Sequence, residues 1–130
     1  MAPMNSTERP VELAAAQRAT LMEVARDSIE HGLAFGRPLI VTPSEYHRDL
    51  KEVRASFVTL QENGQLRGCI GHLEAVQPVV VDVAENAFAA AFRDPRFSPL
   101  TAAEWPDVDV HLSLLTTPER MQFSGEADLI

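Results

Sequence analysis

The chain has one cysteine (Cys69), one lysine (Lys51), one tryptophan and one tyrosine in 130 residues. A lone cysteine excludes an internal disulfide and fits a reducing compartment. Ten of the eleven basic residues are arginine, no dense basic run exists, and the net charge is -8. Nonspecific grip on a phosphate backbone needs clustered Lys and Arg that release counterions, so nucleic-acid binding is not expected. Long apolar runs are missing too. None approaches the roughly 20 residues of a membrane span, and the opening MAPMNSTERP lacks the apolar stretch of a secretory signal. The expectation is a cytoplasmic protein with no membrane segment. His31, His47, His72 and His111 show no paired spacing, one thiol cannot build a zinc site, and no glycine-rich phosphate loop occurs. No metal or cofactor is therefore expected.

What is present suffices for a core. Hydrophobic residues make up 45% and charged residues 23%, a balance that argues against disorder. With no repeat or low-complexity linker, 130 residues read as a single domain over 1–130, with 1–10 as a loose tail in which Ser6 or Thr7 could cap a helix. From Val11 to about Gly32, Leu13, Ala16, Leu21, Val24, Ala25, Ile29 and Leu33 recur at helical spacing, and Gly32 or Gly36 offers a stop. A proline-bearing connector with about one helical turn after Ser44 follows. Gln77-Pro78 opens a second helix to about Phe92. Val80, Val83, Ala84, Ala87, Phe88 and Ala91 are its buried side, and Asp82, Glu85, Asn86 and Arg93 its solvated one. DPRFSPL reads as extended, pinned by Pro95 and Pro99. Thr101 and Glu104 form a capping box, and VDVHLSLL (108–115) alternates as a half-buried strand.

The sharpest local signal is SFVTLQ–ENGQ–LRGCIG. Asn63-Gly64 between two apolar runs marks a two-residue hairpin turn. Counting outward pairs Glu62 with Gln65, Leu60 with Arg67, Val58 with Cys69 and Phe57 with Ile70. Cys69 would then lie on the face of Ser56, Val58 and Leu60, in a notch between Arg67 and the open space at Gly71. Strands and helices without a regular βαβ rhythm give an α+β fold, an antiparallel sheet with flanking helices.

Two readings of Cys69 stand side by side. Cysteine packs as a small hydrophobe, and strand glycines such as Gly68 and Gly71 often mark a bulge or a close backbone approach. Alternatively Cys69 is a nucleophile, its thiolate favoured by Arg67 in a notch shielded from water. His111 is the candidate base if its strand lies beside 66–71, whereas His72 points to the opposite face. Asp109, His111 and Ser113 mimic a triad in composition only, because alternate strand residues are about 6.6 Å apart. Arg96 could hold a ligand carboxylate or form a structural ion pair with Asp94.

FVTLQENGQLRGCIGHLEA, VAENAFAAAFRDPRFSPLTAAEW and VDVHLSLLTTPE closely resemble the AMMECR family over roughly residues 11–125. Its prokaryotic members are called AmmeMemoRadiSam system protein A. The resemblance implies an α+β fold and centres attention on two stretches, Leu66, Arg67, Gly68, Cys69, Ile70 and Gly71, then Asp94, Pro95, Arg96 and Phe97. It implies no established reaction. Prokaryotic members travel with a Memo-like protein and a radical S-adenosylmethionine enzyme, which become the expected partners. Hence the expectation is an accessory module binding a ligand or partner through Arg67, Gly68, Gly71, Asp94 and Arg96; the alternative is a thiol-dependent enzyme using Cys69 and His111. Two departures stand out. A glycine common before FVTL is Ala55 here, and family domains usually continue beyond this chain's last residue. An AMMECR-type domain lacking its C-terminal portion would expose an unpaired edge and apolar surface near its end, favouring homo-oligomers.

Overall fold

The computed structural model describes residues 13–115 and 120–124. Two helices, α1 (Ala15–Phe35) and α2 (Val79–Phe92), accompany four strands, β1 (Ala55–Glu62), β2 (Gln65–Gly71), β3 (Val108–Leu115) and β4 (Arg120–Ser124). The strands form one antiparallel sheet in the order β2-β1-β3-β4. The fold is α+β, as the element pattern implied. The Ser6/Thr7 cap and the apolar surface expected after Ser124 fall outside the described residues.

Helix α1 ends where Gly36 turns left-handed at φ 76°, its N–H returning to the Gly32 carbonyl. Gly32 lies inside the helix, buried. Ala16, expected inward, is exposed, and Met22 takes a buried place. The connector carries two short 3-10 turns, Pro43–Glu45 and Arg48–Leu50. Leu50 from the second is buried in the core. Ser28 stitches the layers together. Its hydroxyl donates to the Ala84 carbonyl of α2 at 2.7 Å and accepts the Leu39 N–H at 3.2 Å.

The core lies between the helices and one sheet face. Val58 and Leu60 of β1 and Val110, Leu112 and Leu114 of β3 meet Val80, Val83, Ala84 and Ala87 of α2 and Leu21 and Ile29 of α1. Strand β3 alternates buried and half-buried along its whole length, as its period-two sequence requires. Full burial of each large aliphatic side chain removes apolar area worth about 1.5–3 kcal/mol from water.

Two expectations for α2 differ in outcome. Its apolar residues are buried as read, but Asp82 and Asn86 are buried as well, at 0% and 5% exposure. They face β1, where Ser56 Oγ donates to Asp82 Oδ2 at 2.6 Å. Asn86 Nδ2 donates to the Ser56 carbonyl, to Ser56 Oγ and to Asp82 Oδ2 at 3.1, 3.0 and 3.0 Å. The other Asp82 oxygen accepts from Gln77 Nε2 at 3.0 Å, with His72 Nε2 at 3.8 Å. Paired polar groups are tolerated inside a protein, so the helix turns these residues toward the sheet.

Residues 94–97 are not extended. They turn sharply after α2, with Phe97 N–H on the Asp94 carbonyl at 3.0 Å and Leu100 N–H on that of Ala91 at 2.9 Å. Proline fixes φ near -65°, which suits the first central position of a turn as well as extended chain.

Candidate functional site

The hairpin tip forms as read. Asn63 and Gly64 both have positive φ, 53° and 81°, the requirement of a type I′ turn. Glu62 pairs with Gln65 and Gln61 with Leu66, but Leu60 then pairs with Gly68, so the register shifts by one residue. Arg67 is the extra residue of a β-bulge. The expected register fails from this point, because a bulge re-aims every later side chain on its strand. Thr59 faces Cys69, Val58 faces Ile70 and Phe57 faces Gly71.

Cys69 therefore shares the open sheet face with Phe57 and Thr59, away from the helices. It is half-buried, and its Sγ lies 3.2 Å from Thr59 Oγ1. Gly68 takes the helix side. A Cβ there would collide with the Ala90 carbonyl of α2, so glycine is what lets the helix lie against the strand. Gly71 is not an opening: a Cβ there would meet the Ser56 carbonyl and the Phe57 ring. The notch inferred between Arg67 and Gly71 does not form.

Arg67 turns away from the thiol. Its Nε and Nη2 hold the two Glu104 oxygens at 3.0 Å each, and Nη2 also donates to the Ser98 carbonyl at 2.9 Å. Glu62 Oε1 is 3.6 Å from Nε. Glu104 is also the acidic half of the predicted capping box, accepting the Thr101 N–H at 2.9 Å while its own N–H reaches Thr101 Oγ1 at 3.3 Å. Chiefly through the Arg67 hydrogen bonds, its carboxyl is lowered to about 2. Burial, then its hydrogen bond and repulsion with Glu104, push Glu62 the other way.

Asp94 joins the LRGCIG and DPRF stretches. Nearly buried at 4% exposure, it accepts the Cys69 backbone N–H on Oδ2 at 3.0 Å. The same carboxylate binds Arg96 three times, from the backbone N–H and Nε to Oδ1 at 3.0 Å each and from Nη2 to Oδ2 at 2.8 Å. The Arg96 hydrogen bonds are the largest cause holding its carboxyl well below the usual range. Arg96 is raised in turn, first by Asp94 and more weakly by attraction to Cys69. Its side chain stays 56% exposed. Phe97 is shared, its ring centroid 5.6 Å from the Arg67 guanidinium carbon and 5.5 Å from that of Arg96.

His111 is not beside Cys69, because β1 runs between their strands. It pairs with Thr59 from the far side, so Cys69, Thr59 and His111 form one cross-strand row. Two strand spacings separate the outer members, about 10 Å. The His111 Nε2 is buried and has no hydrogen-bond partner among the described residues. Asp109 and Ser113 share its face and are half-buried. Among the described residues, no group of three His, Cys, Asp or Glu side chains could hold a metal, and no helix is long and apolar enough to cross a membrane.

Sequence reasoning missed three members of this arrangement: Thr59, Glu104 as the Arg67 partner, and the Cys69 N–H as the Asp94 partner. The glycine after Arg67 was the available signal, since a strand glycine often accompanies a bulge.

A four-stranded antiparallel sheet backed by two helices makes this an α+β domain, with Asp94 joining its β2 edge strand to the turn that follows α2. The chain belongs to the AMMECR1 family, whose sequence model matches residues 22–129. A protein of Methanothermobacter thermautotrophicus is 40% identical over 109 residues, covering 84% of this chain and 56% of its own length. One of Sulfolobus acidocaldarius is 39% identical over 106 residues, covering 78% and 45%. The crystal structure of an uncharacterized protein from Pyrococcus horikoshii, PH0010, superposes with a TM-score of 0.71 at 35% identity, covering 78% of this chain and 52% of that one. The chain thus spans about half the length of the relatives it matches.

Proposed function

We propose that this AMMECR1-type chain is an accessory binding module whose LRGCIG strand and DPRF turn receive an anionic group of a ligand or partner. The partners proposed are the Memo-like protein and the radical S-adenosylmethionine enzyme that accompany prokaryotic members of the family. The observation that carries the reading is Arg96. Its guanidinium is aligned on one side by Asp94 yet remains 56% exposed, beside a half-buried thiol. A fixed planar donor with a free edge suits recognition of a carboxylate or phosphate. Arg67, by contrast, spends its donors on Glu104 and Ser98 and acts as a brace.

A second reading, nucleophilic use of Cys69, has one observation behind it. The row Cys69–Thr59–His111 puts a hydroxyl between thiol and imidazole, and His111 Nε2 is buried without a partner among the described residues. Against it, no base is within hydrogen-bond reach of Sγ among the described residues, the first geometric demand on such a site.

The test is retention of purified Memo-like protein on immobilised wild-type, Arg96→Ala and Cys69→Ser chains. The binding reading expects Arg96→Ala to weaken retention about tenfold, the loss of a charge-assisted pair, and Cys69→Ser to retain it. Full retention by Arg96→Ala sinks the binding site proposed here. Loss with Cys69→Ser, together with fast native alkylation of Cys69 that His111→Gln slows, moves the assignment to the thiol enzyme.

A further inference from the structure

Away from Cys69, a groove runs along α1 and is closed on its far side by Phe123 of β4. The cavity measures about 490 Å³. Ala15, Ala19, Met22 and Phe123 supply its apolar lining, with Met22 and Phe123 buried and the two alanines exposed. Glu23, Asp27 and Glu30, all exposed, line it as well. These positions recur every three or four residues from Ala15 to Glu30, so the groove follows one helix face for roughly 22 Å, the length of a helix of about 15 residues.

Its electrostatics point to the sign of the occupant. Arg18 and Arg26 also line the groove but are engaged. Arg18 Nη1 donates to the Leu13 carbonyl at 2.6 Å, and the Arg26 guanidinium stacks 4.7 Å from the Trp105 ring centroid. Glu23 and Asp27 make no ion pair among the described residues. Two separate groups register the uncompensated charge. Asp27 is pushed up by burial and then by Glu23 and Glu30, more than Arg26 offsets. Tyr46 is pushed up by burial and then by Glu45, Asp27 and Glu23. A second copy of a chain carrying -8 brings the wrong charge to this rim.

We propose that this groove docks an amphipathic helix of a partner protein, its apolar face against Met22 and Phe123 and a Lys or Arg edge along Glu23 and Asp27. Small Ala15 and Ala19 leave room for the helix, and the carboxylates fix its polarity and register. The surface is separate from the Cys69–Arg96 site, so the proposal stands apart from the function assigned there.

The experiment uses two fluorescent 15-residue amphipathic peptides, one of Leu and Lys and one of Leu and Glu, with binding to the 130-residue chain read by anisotropy. The Leu/Lys peptide is expected to bind and the Leu/Glu peptide not. Ala19→Trp, which fills the groove, should weaken binding at least about tenfold, and Glu23→Lys with Asp27→Lys should weaken it about tenfold. Glu74→Lys with Asp107→Lys makes the same charge change outside the lining and should leave binding within about twofold. Circular dichroism establishes that each variant is folded. If Ala19→Trp does not fold, the two charge-reversed pairs decide the matter alone. Absent binding, equal weakening by both charge-reversed pairs, or unchanged binding by folded Ala19→Trp overturns the proposal.

Discussion

Asp82 and Asp94 are both nearly sealed from solvent, at 0% and 4% exposure, and they solve the problem of a buried carboxylate in opposite ways. Asp82 collects hydrogen bonds from a hydroxyl and two amides, those of Ser56, Asn86 and Gln77. It lies near the start of α2, where the helix dipole favours negative charge. Asp94 instead accepts two backbone N–H groups and a guanidinium, and the cation it binds remains in the open. Neutral donors make an internal rivet that joins β1 to α2. A charged donor makes a mount, because the fold holds one side of Arg96 and presents the other. The difference separates a polar cluster that serves architecture from one that can serve recognition.

The comparison breaks most visibly at Asp82. Asp82→Ala leaves the buried Ser56 hydroxyl without its acceptor and takes one acceptor each from Asn86 and Gln77. It should cost about 3 kcal/mol, seen as a lower urea midpoint, with alkylation of Cys69 in the remaining folded fraction little changed. A cost below about 0.5 kcal/mol would show that the cluster is no rivet. Next in size is Gly68→Ala, which forces α2 away from β2 at Ala90 and should cost about 2 kcal/mol by overpacking. Since Gly68 precedes Cys69, this variant should also alter Cys69 alkylation, which Asp82→Ala should spare.

The smallest effect belongs to Glu104→Gln. The partly exposed Arg67 pair should be worth no more than about 1 kcal/mol. The sign is fixed by linkage: a carboxyl depressed from 4.5 to about 2 stabilises the fold above pH 4.5 and loses that contribution as pH falls toward 2. Glu62, shifted upward, opposes it. Urea midpoints measured from pH 6 down to 2 should fall less steeply in Glu104→Gln than in wild type. Parallel curves would remove Glu104 from the account.

Local pattern carried much of the fold. The period-two run 108–115 is β3, Asn63-Gly64 is the turn tip, and Thr101 with Glu104 is a capping box, because each depends on residues within a few positions of one another. The misses depend on distant partners. Asp82 and Asn86 read as solvated on a helical wheel, yet Ser56, 26 and 30 residues earlier, draws them inward. Period-two counting cannot register a bulge, so one extra residue at Arg67 moved Cys69 to the other face and Gly68 under the helix. The site residues were legible as two short motifs; that Asp94 makes them one unit required the turn at 94–97, which the prolines disguised as extended chain.

The hydrogen bond from Cys69 to Asp94 also governs which way the sheet can grow. Strand β2 is an outer strand, and a row of free amides there would invite a passing chain to pair with it. At position 69 the outward donor is already taken by a side chain, and two residues earlier the ladder is broken by the Arg67 bulge. Strand β2 is therefore guarded against templated polymerisation by the same aspartate that orients Arg96.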